Sequence, residues 1–114
     1  MAGPVENLIL ELKRGTLVLA VLSQLGEKRY GYSLQQRLTE KGLEIEQGTL
    51  YPLLRRLEKQ GLLDSEWSVE SSRPRRYYEL NEAGWNALRT LEQEWATLAR
   101  VLERMLGKVD KDEG

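Results

Sequence analysis

Residues 48–63 read GTLYPLLRRLEKQGLL and decide the fold. Leucines recur at i, i+3, i+4 and i+7, which predicts a helix with one buried face formed by Leu50, Leu53, Leu54 and Leu57. Gly61 is suited to ending this helix, and Pro52 fixes how it begins. The opposite face has a basic character that comes from Arg55, Arg56 and Lys59.

The chain after this helix has the pattern of a β-hairpin. Residues 62–69 and 75–80 are predicted strands, joined by a turn that contains Arg73 and Pro74. Successive side chains of a strand point to opposite faces, so Tyr77 and Tyr78 should separate into one core and one exposed residue. For the same reason, only one of the neighbouring arginines at 75 and 76 should point outward.

Two further helices are predicted before residue 48. The first begins with Leu8, Ile9 and Leu12, continues with an apolar run at 17–22 and ends at Gly26. We therefore expect this helix to be the buried spine of the domain. The second runs from residue 31 to about residue 42. The order helix, helix, helix, hairpin predicts a winged helix-turn-helix over residues 5–80, a mainly α fold with a two-stranded β-wing.

A last helix is predicted over residues 81–106, with Asn81 as its N-cap. Its apolar residues are spaced alternately three and four apart, namely Leu88, Leu91, Trp95, Leu98, Leu102 and Met105. This heptad pattern predicts packing against another helix, and a second copy of the chain is the expected partner. Residues 107–114 are charged and aperiodic, which predicts a disordered tail.

The composition excludes several classes of function. The 114 residues include no cysteine and no histidine, which removes disulfides and the commonest metal ligand and general base. We therefore expect no catalytic residues, no metal and no cofactor. The apolar run at 17–22 is far shorter than the ~20 residues of a membrane span. Without a signal peptide pattern, a cytoplasmic protein without a membrane partner is expected.

The net charge of −1 is unevenly distributed along the chain. Residues 1–46 have six basic and six acidic side chains, whereas residues 47–76 have six basic and four acidic ones, a net charge of +2. Residues 77–114 have five basic and eight acidic side chains, a net charge of −3. Because attraction to phosphate depends on the local surface, the middle of the chain is the part that favours nucleic acid.

Two motifs together resemble the PadR family of bacterial transcriptional regulators. The first is the stretch at 48–63, and the second is RRYYELNEAG at residues 75–84. The resemblance spans roughly residues 14–85 and extends to the short, LmrR-like members with a single C-terminal helix. It implies a homodimeric regulator, most often a repressor, that binds a double-stranded DNA operator. The chain has Glu46-Gln47 where the family often has Ser-Pro, and Tyr30-Gly31-Tyr32 where it often has His-Gly-Tyr.

In a winged helix-turn-helix the third helix enters the major groove. Near its start, glutamine and threonine side chains can reach base edges or phosphates, and the arginines of the turn suit a phosphate or a narrow minor groove. The expected DNA-binding residues are Gln47, Thr49, Tyr51, Arg55, Arg56, Lys59, Arg73, Arg75 and Arg76. The alternative for these charges is a solvated face, as in a winged helix that contacts only proteins.

Trp95 occupies the middle of the heptad pattern, where leucine or isoleucine is usual. It is either a bulky residue of the dimer core or, as the resemblance to the LmrR-like members implies, a platform for a planar aromatic effector. A pair of tryptophans across a two-fold axis offers two flat faces for stacking. The residues expected around such a ligand are Trp95, Leu91, Ala99, Leu8 and Leu12.

Overall fold

A computed structural model of the chain describes residues 3–69 and 72–107. It contains four α-helices and a small antiparallel sheet within that part of the chain. In chain order the elements are α1 (Pro4–Ser23), β1 (Arg29–Tyr30), α2 (Gly31–Glu40), α3 (Gln47–Lys59), β2 (Leu63–Ser68), β3 (Arg75–Leu80) and α4 (Glu82–Met105). This is the predicted winged helix-turn-helix followed by one long C-terminal helix.

The sheet has one strand more than the sequence predicted. The β2–β3 hairpin has the expected position, with Leu63 opposite Leu80 and Ser68 opposite Arg75. The two-residue strand β1 adds to the other edge of β3, so that Tyr30 lies opposite Tyr77. Two residues are too few to show any alternation of apolar and polar side chains, which is why the pattern of the sequence did not reveal β1.

The core is formed mainly by leucines from α2, α3 and the hairpin. Twelve hydrophobic side chains of the described ranges are buried, and the leucine face of α3 is among them as predicted. The buried residues are Val21, Leu22, Leu25, Leu34, Leu38, Leu50, Leu53, Leu54, Leu57, Leu63, Tyr78 and Leu80. The core is therefore centred under α3.

The interpretation of the first helix as a buried spine was wrong for most of its length. Only Val21 and Leu22 of α1 are buried, and the large side chains of its first half are exposed, including 71% of Leu12. The helix also ends at Ser23, before Gly26. Gly26 instead lies beneath the Trp85 ring, which a Cβ at this position would approach to 3.0 Å.

The start of α4 is fixed to the rest of the fold by a cap and a close contact. The Asn81 side chain accepts a hydrogen bond of 2.9 Å from the Gly84 backbone N–H, as expected for an N-cap. Asn81 also donates to the Gly61 carbonyl oxygen. A Cβ at Gly84 would lie 2.1 Å from the Leu62 carbonyl oxygen, so only glycine allows this approach.

Along α4, the predicted heptad pattern divides into two parts. Leu88 and Leu91 pack against the core, whereas Trp95, Leu98, Leu102 and Met105 are exposed, the last by 76%. The division arises because α4 extends past the end of the domain that it packs on. The predicted tail lies outside the described residues, except for Gly107. No helix among the described residues is long and apolar enough to cross a membrane.

Candidate nucleic-acid interface

The outer face of α3 exposes several of the predicted DNA-binding residues to solvent. Each residue of a helix turns by about 100°, which places Arg55 and Lys59 directly opposite the leucine face. Thr49 and Arg56 lie to the side away from the hairpin by the same geometry. These four side chains and Gln47 are all exposed. The first turn and the outer face of α3 are therefore available to a partner.

On the side of α3 nearest the hairpin, Arg76 and Glu58 form an ion pair, and the Ser65 hydroxyl group is hydrogen-bonded to both. Arg76 donates from Nη2 to both carboxylate oxygens of Glu58, at 3.1 and 3.2 Å. The Ser65 hydroxyl donates to Glu58 Oε2 at 2.5 Å and accepts from Arg76 Nε at 3.1 Å. The hydrogen bonds among these three side chains are part-buried, and this linkage joins α3, β2 and β3 directly.

The two neighbouring arginines of β3 differ because only one of them takes part in this linkage. Arg76 uses its guanidinium group within the protein, whereas the exposed Arg75 places its own 4.5 Å from the centre of the Tyr30 ring. Arg73 is exposed in the turn before β3. The strand alternation expected at these positions is thus observed, and Arg75 is the one that faces outward.

A cleft of about 610 Å³ lies between α3, the start of α2 and the hairpin. Its lining combines aromatic rings with arginines, and it includes no acidic residue of the described ranges. The lining residues are Tyr30, Gly31, Tyr32, Tyr51, Arg55, Trp67, Arg73, Arg75, Arg76 and Tyr78. Five of the nine predicted DNA-binding residues thus meet around one cleft, which we call the aromatic–arginine cleft.

Trp67 is one of the aromatic rings that form the walls of the cleft. Its side chain is 63% exposed on the cleft wall, with the Arg76 guanidinium 5.7 Å from its ring. The neighbouring ring of Tyr51 covers Gly31, where a Cβ would lie 2.5 Å from the tyrosine ring. Glycine at the start of α2 therefore allows Tyr51 to form the opposite wall.

Tyr78 lies on the floor of the cleft and is 7% exposed. Burial raises the pKa of its hydroxyl group above the usual value, and Glu58 acts in the same direction, while Arg76 opposes both. The phenol is therefore neutral at physiological pH. Tyr78 therefore adds no negative charge that would offset the positive charge of the arginines in the cleft.

A second groove, of about 470 Å³, lies between α1 and α4. It includes Trp95 and Leu91, two of the residues expected around an effector, together with Gly15. The remaining lining residues are Thr16, Val18, Leu19, Glu94, Thr97, Leu98 and Val101. The other three residues expected there, Leu8, Leu12 and Ala99, do not line the groove in a single chain.

Three features of the site were not predicted from the sequence. They are Glu58 as the partner of Arg76, Trp67 as a cleft wall, and the contribution of Tyr30 and Tyr32 from the start of α2. The only available signal was the alternation of β2, which places Trp67 on the same face as Ser65. Within residues 3–69 and 72–107, no group of three or more acidic side chains is placed to hold a metal ion.

Comparison with known proteins identifies the family of this chain. The model of the transcriptional regulator PadR-like family matches residues 18–90. The transcriptional regulator Rv3488 of Mycobacterium tuberculosis is 38% identical over 91 residues, which cover 79% of this chain and 85% of that protein. The crystal structure of a PadR family regulator from Eggerthella lenta is 50% identical with a TM-score of 0.86, and the match covers 90% of this chain and 91% of that one. A PadR-like regulator from Bacillus cereus is 27% identical with a TM-score of 0.75, covering 84% and 96%.

Proposed function

This chain belongs to the PadR-like family of transcriptional regulators, which are DNA-binding proteins rather than enzymes, and on that premise we propose that it is a homodimeric repressor released by a small planar effector. The observation that supports the mode of DNA binding is the aromatic–arginine cleft beside the exposed face of α3. A repressor that acts on chromosomal DNA would work in the cytoplasm.

The proposed contacts divide into base and backbone contacts. Gln47 and Thr49, in the exposed first turn of α3, would read base edges in the major groove. The exposed cations Arg55, Arg56 and Lys59 would meet phosphates along the same groove. Arg73 and Arg75 would contact the backbone or the minor groove from the hairpin.

Binding to a labelled duplex, measured by fluorescence anisotropy at several salt concentrations, tests this division. Arg73→Ala should weaken binding to all sequences alike and lower the slope of log K against log salt by about one unit. Gln47→Ala and Thr49→Ala should instead relax the preference at one or two operator positions, by roughly 1–3 kcal/mol each. Glu40→Ala, on the exposed end of α2, is a control that should leave the slope unchanged.

Absence of measurable binding to any duplex at low salt would reject the DNA-binding proposal. A winged helix that contacts only proteins would give that result. A wild-type affinity that does not depend on salt would also contradict it, because phosphate contacts release counterions.

The proposed dimer uses the exposed apolar surfaces of α1 and α4. Leu98, Leu102 and Met105 continue the heptad pattern beyond the domain and remain exposed in one chain. Two helices that pack through such a pattern bury it completely. A two-fold dimer would also place two copies of α3 about one turn of duplex apart, ~34 Å, as a pseudo-palindromic operator requires.

The proposed effector site is the groove around Trp95, which is 51% exposed there. Glu94 is the charged residue of this lining, so the groove favours planar aromatic cations over anions. In a dimer, Leu8, Leu12 and Ala99 would complete the site together with the partner chain. The ligand would act on DNA binding by changing the separation of the two α3 helices.

Fluorescence titration with a planar aromatic cation tests this site. Variants that retain one tryptophan, at 67, 85 or 95, separate the three signals. The Trp95-only protein should be quenched with a Kd that is roughly micromolar, as stacking on indole can supply. If a broad panel of such cations leaves its emission unchanged, Trp95 is a dimer-core residue only.

A further inference from the structure

The aromatic–arginine cleft separates two elements that the proposed function assigns to different grooves of DNA. One wall is α3, through Tyr51 and Arg55, and the other wall is the hairpin, through Trp67 and Arg76. If α3 enters the major groove and the hairpin approaches the adjacent minor groove, one sugar–phosphate strand separates them. That strand must pass through the space between the two walls.

We propose that the cleft receives one sugar–phosphate strand of the duplex and that Trp67 packs its indole ring against a deoxyribose of that strand. The inference rests on the proposed DNA-binding function and adds a contact residue to it. The occupant is a DNA backbone because the cleft has the complementary charge: Arg55, Arg73 and Arg75 line it beside the ion-paired Arg76, and no carboxylate of the described residues does.

The exposure of Trp67 supports an apolar contact in this position. The ring is 63% exposed on the same face of the sheet as the buried Leu63 and the half-buried Ser65. A large exposed aromatic ring beside arginines has the composition of an interface hot spot rather than of a solvated surface. A deoxyribose offers it an apolar edge between two phosphates, which the arginines can meet.

The position of the Trp67 wall is fixed by the linkage at the inner end of the cleft. Arg76 lies beside the Trp67 ring and is tied to Glu58 on α3 at 3.1 Å. Trp67 and Arg76 are also cross-strand partners in the hairpin. The distance between the two walls is therefore set before DNA arrives, which reduces the ordering needed on binding.

The test compares Trp67→Ala, Trp67→Phe and Arg55→Ala in binding to a fluorescein-labelled duplex of several helical turns. Trp67→Ala should raise Kd by roughly tenfold, the order expected for an aromatic hot-spot residue. It should leave the salt slope unchanged, because the lost contact is uncharged. Trp67→Phe should retain most of the affinity, whereas Arg55→Ala should lower the salt slope by about one unit.

Protection of the indole gives an independent measurement. In the variant with Trp85→Phe and Trp95→Phe, quenching of Trp67 by acrylamide should fall when the duplex is added. Unchanged Kd in Trp67→Ala together with unchanged quenching would overturn the inference, even though the wild-type protein binds DNA. Tighter binding of the single strand than of the duplex would overturn it in favour of stacked bases. Failure of the wild-type protein to bind any duplex would instead reject the proposed function itself.

Discussion

Two regions of this molecule differ in how completely they bury their apolar side chains. The body, residues 17–91, encloses its leucines within one chain, and Leu22, Leu50 and Leu54 are fully buried there. The arms, residues 4–12 and 95–106, expose large apolar side chains along both helices. A monomer rarely leaves so much contiguous apolar surface in water. The body therefore buries its apolar residues within one chain, whereas the arms expose the surfaces that the proposed dimer would cover.

The two cavities of the molecule differ in charge. The cleft of the body is lined by arginines and aromatic rings, while the groove between α1 and α4 is mostly apolar and includes Glu94. In the proposed function these charges would suit opposite kinds of partner, an anionic polymer at the cleft and a neutral or cationic ligand at the groove. Under the proposed function, the two partners would therefore not compete for the same surface.

The largest effect is expected from charges placed in the arms. Leu98→Asp together with Leu102→Asp would bury four carboxylates in a two-fold interface, at a cost of roughly 4 kcal/mol or more unless they are paired. We expect a monomer by analytical ultracentrifugation, with the helical content of the body retained in circular dichroism. A dimer of unchanged affinity would show that these arms are not the interface.

The matched control for that experiment is Asn86→Asp together with Thr90→Asp. These residues have the same spacing and give the same change in charge, but both lie off the heptad stripe and are exposed. The control protein should remain dimeric. If it also dissociates, the effect of the leucine substitutions is one of net charge rather than of the stripe.

A smaller but still large effect is expected where the body meets the arm. Gly84→Ala would place a Cβ 2.1 Å from the Leu62 carbonyl oxygen and 2.9 Å from Leu80 Cδ2, so the start of α4 must move. Overpacking of this kind costs about 1–3 kcal/mol, occasionally more. Urea denaturation at fixed protein concentration should report a loss of stability of that order.

Gly15→Ala is the control for the glycine experiment. Gly15 lies inside α1, and a Cβ added there would meet no neighbouring atom of the described residues within 4 Å. Alanine should stabilise the helix by about 0.5–1 kcal/mol, because glycine is the poorer helix former. Equal midpoints for Gly84→Ala and the wild-type protein would contradict the close contact at Leu62.

The smallest effect is expected at the linkage within the body. Glu58→Gln removes the charge that holds Arg76 and should lower the free energy of unfolding by up to about 1 kcal/mol. The loss is small because solvent screens the pair: the side chain of Glu58 is 28% exposed and that of Arg76 is 37% exposed. A double-mutant cycle with Arg76→Gln isolates the coupling between them. The more exposed pair of Lys28 and Glu66 is the control, and Glu66→Gln should change the stability less.

A coupling energy at Glu58 and Arg76 no larger than that at the control pair would mean that the linkage contributes little to stability. In that case the hairpin should still keep its position through the buried residues of the sheet, Leu63 and Tyr78. The DNA affinity of Glu58→Gln then shows whether the linkage has a separate role in setting the width of the cleft.

The predictions from sequence were correct where a local period determines the structure. The leucine spacing of α3, the alternation of the hairpin and the cap at Asn81 each depend on neighbours within a few residues. The first helix misled us, because Leu8, Ile9 and Leu12 at its start remain exposed in one chain. Hydrophobic periodicity predicts an apolar face, but not whether the same chain covers it.

The sequence by itself determined the order of elements, the buried face of α3, the family and the basic middle of the chain. Only the tertiary structure decided that Glu58 holds Arg76, that β1 joins the sheet, and that Trp67 faces a cleft rather than the core. The physical reason is the distance along the chain. Glu58 and Arg76 are 18 residues apart in the sequence. The packing of the helix against the hairpin decides which of several similar charged side chains meet, and no local sequence pattern specifies that packing.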